Sequence, residues 1–287
     1  MKNTPFAFFG TSTFSVIVLD SLEKAGYIPS VVVTMPDRPK GRRLALTPSP
    51  VKVWANQKNI PVLQPEIMDL EFSSKLKALG SMLFIVASYG SLIPKKILDL
   101  AAHGALNIHP SLLPKLRGAT PIQSAILEGL RETGVSIMLM DEKMDHGPII
   151  ASEKFKMQNR ELDALTLETA LAELGAKLLV QIVPRWLRGN IKPVPQDATQ
   201  ASYTRKFQKE DGLLKLDGNP EENFRKIRAF AGTIGTYFFV EKDRRKIRVS
   251  IKKARLENGT LIIERVLPES KKGMDYETFK KTIDNRQ

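Results

Sequence analysis

The sequence predicts an α/β protein: a mostly parallel sheet with helices on its faces, followed by a smaller β-rich domain. Three observations carry this. The chain opens with an apolar run ended by glycine, "PFAFFG" (5–10), a segment of helical spacing, "STFSVIVLDSLEKAG" (12–26), and a β-branched run, "IPSVVVT" (28–34). That is a strand–helix–strand opening, and such a crossover joins parallel strands. Further apolar runs follow at "MLFIVASYG" (82–90), "ALNIHP" (105–110) and "GVSIMLM" (134–140). Runs without alternation fit strands covered on both faces. After residue 204 the texture changes: "GTYFFV", "KIRVSIKKARL" and "GTLIIERVL" alternate, with an Asn258-Gly259 turn signal between the last two.

The elements follow in order. Phe14, Val18, Leu19 and Leu22 make one face of the first helix, and Gly26 stops it. In "TPIQSAILEGL" (120–130), Thr120 suits an N-cap, Pro121 the first turn and Gln123 a capping box. A long helix over 163–188 carries the stripe Leu167, Leu171, Leu174, Leu178 and Ile182, with Gly189 just past its end. Pro184 is expected to kink or end it. The prolines and polar residues of 190–203 read as a linker. A helix is expected around "PEENFRKIRAF" (220–230). In "RRKIRVSIKK", Ile247, Val249 and Ile251 fall on one face of a strand, and Lys246, Arg248 and Lys252 on the other. The division expected is therefore 1–189, a linker 190–203, and a basic domain 204–287.

A chain of 287 residues has room for two domains. With 42% hydrophobic and 26% charged residues it has the balance of a soluble globular protein. No cysteine is present, which excludes disulfides, thiolate metal sites and cysteine nucleophiles. No apolar run reaches membrane-spanning length, and the N-terminus lacks the shape of a signal peptide. A cytoplasmic protein without a membrane partner is expected. The net charge is +13, and residues 204–287 hold 21 basic against 13 acidic side chains. That density suits a polyanion such as nucleic acid, against the plainer reading of a solvated basic surface.

For chemistry, the first strand–helix turn, "FFGTSTF", has one glycine where a dinucleotide fingerprint has three, and no Walker-type phosphate loop occurs. The stretch "LNIHPSLLPKLRG" (106–118) is more informative. Asn107 and His109 sit at i and i+2 near the end of a strand, so both face one side. The loop "DEKMDHGPI", after the strand 134–140, carries Asp145. If the ends of those two strands are close, the three groups meet. An amide and an imidazole can donate to a developing oxyanion, and a carboxylate can handle a proton. This set suits acyl transfer to an amine from an activated donor. The plainer readings are a structural histidine and a turn-forming aspartate; His103 is read as a loop residue.

The run "LNIHPSLLPKLRGATPIQSAI" followed by "TGVSIMLMDEKMDHGPI" resembles the folate-dependent formyltransferases, whose signature joins the Asn-x-His pair, the Ser-Leu-Leu-Pro segment and the later Asp. Within them the chain resembles the branch acting on charged initiator tRNA, through "FFGTSTFSVIVLDSL", "TMPDRPKGRRLALTPSPVKVWA" (34–55), "ASYGSLIP" (87–94) and "SYTRKFQKEDGLLKL". The resemblance implies a Rossmann-like catalytic domain and an OB-like β-barrel after it. It implies an enzyme that moves the formyl group of 10-formyltetrahydrofolate to the α-amine of methionyl-tRNA, with no metal and as a monomer. Asn107 and His109 would bind the formyl oxygen, and Asp145 would orient His109 and move the proton. Tyr89, Gly90, Ser111, Leu112, Leu113 and Pro114 would border the folate. Arg38, Lys40, Arg42 and Arg43 would contact the acceptor stem, and Lys246, Arg248 and Lys252 would meet RNA phosphates. The chain departs from the pattern at Ala231-Gly232-Thr233-Ile234, where the family has Asn-Pro-Trp-Pro after "IRAF", at Leu216 in place of tryptophan, at His146, and in a short stretch between Arg255 and Glu264. The alternatives are a sugar-nucleotide amine N-formyltransferase, against which the basic loop argues, and a non-catalytic RNA-binding homologue, against which the intact trio argues.

Overall fold

The structure, a computed structural model, describes residues 4–40, 45–157, 161–242 and 245–284. The chain begins β1 (Phe6–Gly10), α1 (Thr13–Lys24), β2 (Val31–Val33), β3 (Arg38–Lys40), β4 (Ala45–Thr47), α2 (Pro50–Gln57), β5 (Val62–Leu63), α3 (Leu70–Ala78), β6 (Leu83–Ala87), α4 (Lys95–Leu98) and β7 (Ala105–His109). It continues β8 (Arg117–Gly118), α5 (Pro121–Leu127), β9 (Glu132–Leu139), β10 (Ile149–Lys156), α6 (Ala164–Leu187), β11 (Tyr203–Thr204) and α7 (Pro220–Ala229). It closes with β12 (Thr236–Lys242), β13 (Arg245–Glu257), β14 (Thr260–Pro268), β15 (Met274–Asp275) and α8 (Tyr276–Asp284).

Seven strands form the main sheet in the order β10-β9-β7-β6-β1-β2-β5. The five from β7 to β5 are parallel, and β9 and β10 are antiparallel at one edge. The winding reverses at β1, which lies between β2 and β6. In an open sheet, ligands gather outside the carboxyl ends of the strands near such a reversal. Ala7 and Phe9 of β1 pack in a core with Phe72 and Leu76 of α3 and Ile97 and Leu98 of α4. Phe8, on the opposite face of β1, is fully buried too, so the sheet is covered on both sides. That is why its strands read as unbroken apolar runs.

The chain forms two compact units: 1–118, 132–156 and 168–203 in the first, and 119–131, 157–167 and 204–287 in the second. In the second, α5 packs on α7. Its sheet is antiparallel in the order β12-β13-β14-β15. Phe238, Val249, Ile251 and Val266 fill its core with Phe279 of α8. The β13–β14 turn is made by Asn258 and Gly259 at φ 49° and 75°, which is what a tight two-residue hairpin requires.

Two details differ from the sequence reading, and two expectations are carried further by the structure. The strands of the second unit pair in the order β12-β13-β14-β15, and Leu213 bridges Tyr237 of β12 in parallel. α6 runs on past Pro184 to Leu187, so the helix ends within one turn of the proline. Thr120 does precede α5, but its hydroxyl donates to Arg205 O (2.7 Å) and does not cap the helix. The basic stretch read as a loop contains a two-stranded hairpin, β3 with β4.

Candidate active site

His109 ends β7 and Asn107 lies at its centre, two residues earlier. His109 is 4% exposed, lies opposite Ser136 of β9, and turns Nε2 to Leu116 O at 3.0 Å. A carbonyl only accepts, so Nε2 carries the proton and Nδ1 is the nitrogen left for other partners. Nδ1 lies 3.6 Å from Asp145 Oδ1. Asn107 is half-buried two residues before.

Asp145 does not arrive by the meeting of two strand ends. β9 is antiparallel to β7, and Leu139 lies opposite Leu106. The loop 141–148 therefore leaves at the far end of β7 and has to double back. Gly147 permits this: a Cβ there would fall 1.8 Å from Leu139 O. Asp145 takes a left-handed backbone, φ 49°, and its Oδ2 accepts Gly118 N–H at 2.7 Å. Leu116, the acceptor for His109, has φ 59°, and Ser88, at the end of β6, has φ 48°. Non-glycine residues held in this region concentrate where a site needs them.

The expected folate-bordering residues divide. Tyr89 turns its ring into the core, edge-on to Phe9 at 5.6 Å, and burial pushes its phenol up to about 12; it offers a ligand its backbone rather than its hydroxyl. Gly90 is exposed at φ 96°, a backbone that glycine adopts freely. Ser111 is fully buried and donates to Lys115 O at 2.6 Å. Leu113 is 7% exposed, and Leu112 and Pro114 are half-buried; the Leu113–Pro114 peptide is cis. Ser136 pins this run, donating to Ser111 O (2.8 Å) and accepting Leu113 N–H (3.0 Å).

Of the expected RNA-binding residues, Arg38 is exposed on β3 and Lys40 ends that strand. Arg42 and Arg43 lie outside the described residues. At the root of the hairpin, Asp37 accepts from Gln64 (2.8 Å) and Lys52 (2.7 Å), which hold its carboxyl below the usual range. In the second unit, Lys246 is exposed with its ammonium 4.5 Å from the Phe239 ring centre. Arg248 is half-buried, its guanidinium 3.7 Å from that of Tyr237. A bulge between Ile251 and Lys253 displaces Lys252, which is exposed. The alternation read from sequence thus covers Lys246 and Arg248, on a face shared with aromatic rings, and breaks before Lys252.

Sequence reasoning passed over Arg117 and Gln196. Arg117 is 2% exposed and donates to Gln196 Oε1 through Nε (3.1 Å) and Nη2 (2.7 Å). Nothing local marks it, since an arginine beside a glycine reads as surface. Gln196 stood in the expected linker, and its amide reaches the carbonyls of Asp145 (2.9 Å) and Gly147 (2.7 Å).

The formyl transferase family profile matches residues 3–183. The chain is 42% identical over 236 residues to the methionyl-tRNA formyltransferase of Anaeromyxobacter dehalogenans, covering 82% of this chain and 75% of that one. It is 37% identical to that of Dictyoglomus thermophilum over 301 residues, 95% of each chain. The solved methionyl-tRNA formyltransferase of Clostridium thermocellum shares the fold, with a TM-score of 0.61 at 17% identity over 92% of this chain and 98% of that one. A strand-borne Asn-x-His pair with an aspartate folded back onto it, in a chain of this likeness, places the protein: it belongs to the formyl transferase family, with the methionyl-tRNA formyltransferases as its relatives.

Proposed function

We propose that the protein formylates the α-amine of methionyl-tRNA from 10-formyltetrahydrofolate, giving N-formylmethionyl-tRNA and tetrahydrofolate. The observation that carries this is the His109–Asp145 pair beside Asn107, with His109 Nε2 tied to the backbone so that Nδ1 faces the carboxylate. The amine nitrogen attacks the formyl carbon, the carbonyl oxygen becomes an oxyanion, and the bond from that carbon to N10 breaks. Asn107 donates to the oxyanion through its amide; His109, whose Nε2–H is given to Leu116 O, joins it only with a proton on Nδ1, the nitrogen beside Asp145. Asp145 takes the proton that the amine sheds and returns it to N10, so no proton is lost overall.

Apolar side chains beside the expected folate border support this donor. Leu92 and Met144 are exposed at 65% and 54%, one just after Gly90 and the other beside Asp145, and exposed apolar groups suit a planar heterocycle. Leu112, Leu113 and Pro114 with Ser111, and the backbone of Tyr89 and Gly90, would border it. Residues 1–189 would hold the chemistry and 204–287 an RNA-binding domain. Arg38, Lys40, Arg42 and Arg43 would meet the acceptor stem, and Lys246, Arg248 and Lys252 other phosphates. An assay offering charged initiator methionyl-tRNA beside a sugar-nucleotide amine, with formyl-labelled folate, tests the reading. Label in N-formylmethionine is expected. Label in the amino sugar alone refutes it.

A further inference from the structure

We infer that Gln196, backed by Arg117, is a positioning residue for Asp145, and that the segment 190–203 braces the catalytic loop rather than only connecting domains; this rests on Asp145 being the proton carrier. The loop 141–148 has to be held after it doubles back. Gly118 N–H fixes one carboxylate oxygen of Asp145. The backbone of Asp145 and of Gly147 after it is held by the Gln196 amide, whose Nε2 donates to Asp145 O (2.9 Å) and Gly147 O (2.7 Å). Its Oε1 accepts twice from Arg117. Carbonyls only accept and guanidinium only donates, so the amide can take one orientation, with all four of its bonds made.

Arg117 is in turn anchored. Its N–H donates to Ser202 O at 2.9 Å, and Leu116 N–H donates to Ser202 Oγ at 2.9 Å. Leu116 O is the acceptor for His109 Nε2. The same short run, 116–118, therefore sets His109 through Leu116, Asp145 through Gly118 and Gln196 through Arg117. The segment itself docks independently of the Gln196 side chain: Ile149 and Val194 exchange two backbone bonds of 2.8 Å. Loss of the amide donors should leave the segment in place and release the loop.

Gln196→Glu separates the two roles of the amide. A carboxylate still accepts from Arg117 but donates nothing to the Asp145 and Gly147 carbonyls. If Gln196 merely satisfies a buried arginine, kcat stays at the parental value. If it positions Asp145, kcat falls about tenfold to a hundredfold, the cost of a small misplacement of a reacting group, while KM for methionyl-tRNA stays near the parent's and the variant remains folded at the assay temperature, with a melting temperature lowered by the two carbonyls left without a donor. Gln196→Asn, whose amide is one methylene short, should show the same split between kcat and KM. In an Asp145→Ala background, Gln196→Glu should cost nothing further, because residues acting as a unit are not additive. A full additional loss there, or parental kcat for Gln196→Glu beside a crippled Asp145→Ala, overturns the proposal alone. Parental turnover of Asp145→Ala overturns the assignment of Asp145 and the proposal with it.

Discussion

At the scale of residues, the candidate chemistry rests on which atoms are already spoken for. His109 has one ring nitrogen committed to Leu116 O, and Asp145 one carboxylate oxygen committed to Gly118 N–H. The remaining nitrogen and oxygen face each other at 3.6 Å, just beyond hydrogen-bond length. Asn107→Ala removes one donor to the formyl oxygen and should lower kcat by about 10²–10³-fold; single-turnover transfer with both substrates saturating measures it, and parental turnover excludes the donor role. Asp145→Asn keeps an acceptor for Gly118 N–H but cannot carry the proton. It should cut turnover while folate affinity, read by fluorescence titration, stays near that of the parent.

At the scale of elements, buried polar groups explain why strands and helices sit where they do. Ser136 on β9 is fully buried and ties Ser111 O and Leu113 N–H to the sheet, with Ser152 Oγ 3.0 Å from the same hydroxyl. Ser136→Ala strands both backbone groups and should cost about 1–3 kcal/mol of stability by urea denaturation; an unchanged midpoint would show that these bonds contribute nothing. At the start of α1, where a dinucleotide-binding chain would receive phosphate, the Glu168 carboxylate accepts the Phe14 N–H. Burial raises its pKa and this hydrogen bond lowers it, with burial the larger effect. The folded state thus holds the Glu168 proton more tightly than the unfolded chain. Stability from this group is present at low pH and is lost as pH rises from the ordinary carboxyl range through the raised value. Glu168→Gln keeps an acceptor for Phe14 N–H and has no proton to lose. Its unfolding free energy should fall less steeply over that window; a slope equal to the parent's would mean that the burial has no thermodynamic effect.

At the scale of the whole molecule, the net charge of +13 is a statement about partners. Lys246 and Lys252 are exposed on β13, whereas Arg248 is half-buried over Tyr237 and takes part in packing as well. The clean test of RNA contact is therefore the pair Lys246→Gln with Lys252→Gln. If each lysine neutralises one phosphate, the slope of log affinity for methionyl-tRNA against log salt should flatten by about 0.9 per lysine. Turnover at saturating tRNA should persist. An unchanged slope would remove this strand from the RNA-binding surface.

The sequence by itself determined what local periodicity and a contiguous motif encode. The βαβ opening, the buried strands that became β1, β6 and β7, α6, α7 and the Asn258-Gly259 hairpin all follow from side-chain spacing and turn chemistry within a few residues. Asn107 and His109 were legible for the same reason: on a strand, i and i+2 share a face. The tertiary structure decided what depends on distant partners. That β9 runs antiparallel to β7, so that Asp145 returns by a doubled-back loop, is a matter of register between segments some thirty residues apart. That Arg117 is buried and Gln196 holds the loop could not be read from an arginine beside a glycine or a glutamine among prolines. A hydrogen bond across 79 residues leaves no periodic trace in the chain. The pairing order of the second unit's strands has the same cause, because alternation predicts a strand and its two faces, while which strands pair is set by length and by which edges meet.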